Sequence, residues 1–304
     1  MRPSVAVVAC SVLLPLGACG AEAGGAEGTS VAAAVYPLQY VAERVAGDTA
    51  EVVDLVEPGQ EPHDAELSVE QTAAVADADL VLRVAGLAPA LDEAVQQRED
   101  GVDVEALTVL EQRDAALGGA RPVRVLEGDP HVWLDPRALA TYAEEVADRL
   151  ADADPGNAEQ YRENTVSLVT DLNRLDGRLS VALDDCARRT VVVSHAAYGY
   201  LGYRYDLSFR SLVGLSPEDE PSPATLADLQ ELVGEQGITT VFYEPLEGPG
   251  PVESLAADLD LEVAALDPVE GLTEDSADED YLTLMEANGE ALAQANDCTG
   301  EPRS

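Results

Sequence analysis

Lysine is absent from the sequence: all 17 basic residues of the 304-residue chain are arginine. Aromatic residues are scarce at 4%, so the core has to be built mainly from valine, leucine and alanine. Against 59 acidic residues, the 17 bases leave a formal net charge of −42. A surface this negative repels phosphate backbones and anionic lipid headgroups, which argues strongly against a nucleic-acid partner. It attracts cations, yet genome-wide composition or salt adaptation produces the same excess, so charge alone identifies no ligand. His-Glu-x-x-His and Gly-x-Ser-x-Gly are both missing, which removes two common hydrolase signatures. Beyond the N-terminus there is no run of about 18 apolar residues, and no spanning helix is expected.

The N-terminus itself reads as an export signal. Arg2 supplies the positive charge and Val5 to Leu16 an apolar stretch too short to cross a bilayer. It ends in Leu16-Gly17-Ala18-Cys19, which resembles a bacterial lipobox. Residues 1–18 are therefore expected to be a lipoprotein signal peptide, Cys19 the lipidated residue, and 19–30 a flexible tether. Val7-Val8-Ala9-Cys10 fits the same pattern, but few apolar residues precede it. An ordinary secretory signal with an incidental cysteine is the alternative. On this reading the mature protein is extracytoplasmic and held to the cell membrane by lipid alone. Export places Cys186 and Cys298 in an oxidising compartment, where they form a disulfide or remain two thiols. A bond would tie the last helix to the start of the second half, a constraint worth roughly 4–5 kcal/mol by loop-closure entropy.

A chain of this length suggests two domains or one large one. Short β-rich runs (Val31–Tyr36, Glu51–Val56, Leu80–Val84) alternate with helical stretches at Leu38–Ala46 and from Ser68 through Ala78. The second half repeats the alternation. Its strands are expected at Thr190–Ser194, Leu207–Leu215, Ile238–Tyr243 and Leu261–Leu266, with helices from Ala196, over Pro223–Gln236, Val252–Leu259 and Tyr281–Ala295. Between the halves, Pro136–Ala153 and Asn157–Asp184 read as helix without strands. In the second, Tyr161, Leu168, Leu172, Leu175 and Leu179 recur at helix-face spacing. The expected fold is α/β, with two lobes of parallel-type sheet joined by one long rigid helix. Its divisions fall at 31–156, 157–184 and 185–304.

Only three histidines occur, His63, His131 and His195. Each sits at the end of a loop or strand and just before a helix, where open α/β sheets place ligand groups. A fourth group comes from Asp267, in Leu266-Asp267-Pro268, or from Glu244, in Tyr243-Glu244-Pro245; the residues alone do not choose. Three neutral imidazoles and one carboxylate suit tetrahedral Zn²⁺, and four protein ligands leave no position for an activated water. That argues for holding an ion over catalysis with it.

These segments carry a resemblance. Pro62-His63-Asp64 with Glu66, Asp129-Pro130-His131-Val132-Trp133-Leu134-Asp135-Pro136 and Ser194-His195-Ala196-Ala197-Tyr198-Gly199-Tyr200-Leu201 resemble the histidine motifs of the zinc and manganese solute-binding proteins of ABC importers. Gly214-Leu215-Ser216-Pro217-Glu218, Glu220-Pro221-Ser222-Pro223, Val241-Phe242-Tyr243-Glu244-Pro245 and Leu266-Asp267-Pro268 come after them in the same order. The resemblance implies a non-enzymatic metal carrier, monomeric, delivering Zn(II) to a membrane permease. It places the ligands on His63, His131, His195 and Asp267. Histidine at the third position favours zinc over Mn(II), with a dual Zn/Mn binder or a surface adhesin as the competing readings. Asp64, Glu66, Asp135 and Glu244 are candidates for orienting the imidazoles, although Asp135 before Pro136 also reads as a helix N-cap. Trp133 and Tyr198 read as core. The segment Glu111–Glu127 is short and has no histidine, unlike the His-rich loop of many zinc members. Because the ligating imidazoles must be neutral, affinity is expected to fall as pH drops through about 6.5.

Overall fold

The structure, a computed structural model, describes residues 28–116 and 123–300. The expected lipidation site at Cys19, the signal peptide and most of the tether lie outside the described residues. From Thr29 onward the chain builds two parallel sheets with helical crossovers, because parallel neighbours need a connection long enough to return along the sheet.

The first sheet orders its strands β2 (Ala50–Asp54), β1 (Thr29–Ala33), β3 (Leu80–Arg83) and β4 (Val102–Glu105). The second has the same pattern, with β6 (Ser208–Ser211), β5 (Thr190–Val193), β7 (Thr240–Tyr243) and β8 (Glu262–Ala265). All pairings are parallel. The inner strands are the apolar ones: Val31, Leu80, Val192 and Val241 are fully enclosed. Topology reverses beside β1 and β5, so loops leaving the carboxyl ends of the strands open a crevice there in each lobe.

The helices obey their local signals. Ser68 and Gln71 form a capping box that starts α2 (Val69–Asp77). Asp135 accepts the amide of Arg137 and Pro136 opens α5 (Pro136–Ala153), which begins and ends where expected. The other helices are α1 (Tyr36–Ala46), α3 (Pro89–Gln96), α4 (Ala106–Ala116), α6 (Ala158–Ala182), α7 (Gly199–Tyr205), α8 (Pro223–Gln236), α9 (Gly250–Leu259) and α10 (Tyr281–Ala295). Three elements, α3, β4 and α4, were not expected from the sequence. β4 is an edge strand of sequence Val-Asp-Val-Glu, and only Val104 in it is buried, so it carries a weak apolar signal. Part of the segment expected as a short loop, Glu111 to Ala116, is the end of α4. The helix expected from Ala196 begins at Gly199, because Ser194 to Tyr198 form the loop that places the His195 ring.

Between the lobes runs α6, 25 residues and therefore about 38 Å long. Tyr161, Leu168, Leu172, Leu175 and Leu179 are all buried along it, against α1, α5 and α10. A Cβ on Gly289 of α10 would collide with the Leu179 side chain, so glycine is what allows α10 to approach α6 this closely. One hydrophobic core runs through the helix into both lobes and includes Val31 and Leu82 of the first and Val193 and Phe242 of the second. The cysteines Cys186 and Cys298 are bonded, joining the segment after α6 to the end of α10.

Candidate metal centre

Four loops deliver one side chain each to a common point. His63 stands on a single 3-10 turn, Pro62–Asp64, capped by Glu61, whose Oε1 accepts the His63 N–H at 3.1 Å. His131 immediately precedes another such turn, Val132–Leu134. His195 lies just after β5, and Glu270 lies in the loop after β8. Two ligating groups thus come from each lobe. Their ligand atoms lie within 4.8 Å of one another. Among the described residues, this is the group of histidines and carboxylates brought together closely enough to share an ion.

The distances are those of a coordination shell. His63 Nε2 is 3.3 Å from His131 Nε2. Glu270 Oε1 is 3.0 Å from His131 Nε2, 3.7 Å from His63 Nε2 and 3.8 Å from His195 Nε2. A tetrahedral ion with bonds near 2.0–2.1 Å holds its donors about 3.3–3.4 Å apart. His131, His195 and Glu270 are wholly buried, and the His63 side chain is 9% exposed.

Two carboxylates behind the imidazoles set their tautomers. Asp129 Oδ1 lies 2.8 Å from His131 Nδ1 and also accepts the His131 N–H. Glu244 Oε1 lies 2.5 Å from His195 Nδ1 and accepts the Ser194 hydroxyl. A carboxylate accepts, so each ring carries its proton on Nδ1 and turns the Nε2 lone pair inward. His195 Nε2 and both Glu270 oxygens are buried without a hydrogen-bond partner. Buried lone pairs facing one another are costly unless something positive stands between them, and the donor set is one that zinc prefers.

With no ion, a proton partly substitutes for it. Burial opposes charge on His131, but the hydrogen bond to Asp129 and the negative charge of Glu270 beside the ring override it and push its pKa up to about 9. Burial likewise raises Glu270, yet the imidazoles of His131 and His63 hold it well below the ordinary carboxylate range. Replacing Glu244 by alanine leaves His195 without its orienting acceptor, and zinc affinity is expected to fall by roughly 10–100-fold. Calorimetric titration of the variant measures it; unchanged affinity means that Glu244 does not hold the ring.

One expected member is elsewhere. Asp267 is not in the cluster, and Glu270 takes the place assigned to it. The Asp267 carboxylate is turned to its own chain, where Oδ1 accepts the Val269 N–H at 2.7 Å. Neither Glu270 nor Asp129 was found by sequence reasoning. In a chain with 59 acids, nothing but proximity to the Asp267-Pro268 and Pro130-His131 segments marked them. Of the candidates for orienting imidazoles, Glu244 does so, Asp135 caps α5, and Asp64 and Glu66 are exposed. Trp133 is buried edge-on to His131, with ring centroids 5.4 Å apart, and Tyr198 is buried against Phe209.

Two parallel-sheet lobes, sharing one core and converging three imidazoles and a carboxylate, define a two-lobed α/β metal-binding protein. The model of the family described as zinc-uptake complex component A, periplasmic (ZnuA) matches residues 31–295, and the chain belongs to that family. It is 32% identical over 276 residues to a zinc-binding lipoprotein, AdcA, of Streptococcus pneumoniae, an alignment covering 87% of this chain and 55% of the relative. The chain thus spans about half the length of that relative. It is 26% identical over 305 residues to the high-affinity zinc uptake system protein ZnuA of Bacillus subtilis, covering 94% of each. Among solved structures, the Zn(II)-bound ZnuA-like domain of the pneumococcal AdcA superposes with a TM-score of 0.73 at 29% identity, covering 89% of this chain and 99% of that one. The laminin-binding protein Lmb of Streptococcus agalactiae, described as bifunctional with adhesin and metal transporting activity, gives 0.76 at 27% identity, covering 88% and 99%.

Proposed function

We propose that this protein is the extracytoplasmic binding component of an ABC importer, lipidated at Cys19, that captures Zn(II) between its lobes and passes it to a membrane permease. The observation that carries this reading is the convergence of His63, His131, His195 and Glu270 from four loops onto one buried point. Four protein donors complete a tetrahedron, so the ion is held as cargo and no position remains to activate water. Three imidazole nitrogens favour zinc over manganese, which lies lower in the affinity order for such sites. Membership of a zinc-uptake family and likeness to a Zn(II)-bound structure support the same ion.

Elemental analysis of the mature chain purified from Ala21 onward, together with competitive titration, tests the proposal. One zinc per chain is expected, retained against excess manganese. A chain that takes up no metal, or that prefers manganese, overturns it.

A further inference from the structure

The segment that presents Glu270 is built unusually. Val269 has φ +59°, a left-handed conformation that a β-branched residue rarely adopts, and its side chain is fully buried. Such a conformation persists only where its surroundings over-determine it, and here every neighbouring residue is held. Tyr198 Oη donates to Leu266 O at 2.6 Å, and Trp133 Nε1 donates to Pro268 O at 2.7 Å. Asn288 clips the backbone of Asp267 from both sides: its Oδ1 accepts the Asp267 N–H at 2.8 Å and its Nδ2 donates to Asp267 O at 2.6 Å. The Tyr36 N–H donates to Glu270 O at 3.2 Å. Within this frame, the contact that acts on Val269 itself is the one from Asp267 Oδ1 to its N–H. A valine at the ordinary negative φ would send the chain in another direction and take the Glu270 carboxylate away from the imidazoles.

We propose that Asp267 is a positioning residue that acts through Val269: by accepting the Val269 N–H it holds the left-handed turn that aims Glu270 at the metal. The carboxylate contributes an acceptor atom at a defined place; its charge is incidental. This inference rests on the reading of Glu270 as a zinc ligand.

Three single variants and one double variant separate the possibilities, each measured for zinc affinity by competition with a chelator and for thermal stability without metal. Asp267→Ala is expected to weaken zinc binding by about 10–100-fold, the range for residues that orient a ligand. Asp267→Asn keeps an oxygen acceptor at the same position, so its affinity is expected to stay near that of the parent. Adding Val269→Gly to Asp267→Ala is expected to restore most of the affinity, because glycine enters the left-handed region freely. The same double variant is expected to be less stable, since it deletes a buried side chain. Glu270→Gln is the control for the underlying assignment and is expected to lose more affinity than any Asp267 variant. Parent-like affinity in Asp267→Ala, or an equal loss in Asp267→Asn and Asp267→Ala, overturns the positioning role while a weak Glu270→Gln variant leaves the site standing. Parent-like affinity in Glu270→Gln overturns the site itself.

Discussion

His195→Ala is expected to weaken zinc binding by roughly two orders of magnitude or more. Zinc held by four protein ligands contributes about 10–16 kcal/mol, so one ligand's share is about 2.5–4 kcal/mol, and each 1.4 kcal/mol is a tenfold change in dissociation constant. The loss should not be recovered by water. His195 Nε2 is enclosed, and the truncation also strands Glu244, a buried carboxylate whose ring partner is gone. Competitive titration against a chelator of known affinity measures the change. The zinc-free variant should fold, because the two lobes share a core that does not depend on this ring. Binding within a few-fold of the parent would remove His195 from the shell and the transport reading with it.

Zinc affinity is expected to fall as pH is lowered from about 9, well above the ordinary imidazole range near 6.5. Asp129 and Glu270 hold His131 protonated in the empty site up to about pH 9, and that proton has to leave before zinc can bind. One displaced proton corresponds to about a tenfold change in affinity per pH unit over this interval. The empty protein behaves in the opposite sense. Its His131 titrates higher folded than unfolded, so the stabilisation is fully present below about 6.5 and is lost as pH rises through about 9. The gap in melting temperature between the zinc-loaded and the chelator-treated protein should therefore widen between about pH 6 and pH 9. Thermal melts at fixed free zinc, set by a chelator buffer, read this directly. A gap independent of pH across that interval would show that no proton competes for the site.

The lobed architecture was legible because local signals and global packing agree. Ser68 at the start of α2, Asp135 before Pro136, and the leucine face of α6 each specify an element without reference to distant residues. Where the apolar signal is thin, as in the four-residue edge strand β4, nothing local distinguishes strand from loop. The histidines were legible for a different reason. A chain with three of them, each placed ahead of a helix, offers few alternatives. Carboxylates have no such scarcity, and the choice among them went to Asp267 when the cluster contains Glu270.

Composition and periodicity alone thus determined the negative surface, the two α/β halves, the stiff helix between them and the three imidazoles. Tertiary structure alone decided which acid meets those imidazoles, and which acids stand behind them. The reason lies in the backbone. Val269 takes a left-handed conformation, and the residues on either side of it are held from the other lobe, Pro268 O by Trp133 and Glu270 O by Tyr36. Asp267 acts on that turn locally, but the frame around it is completed by a residue 135 positions away, which no local pattern of amino acids reveals.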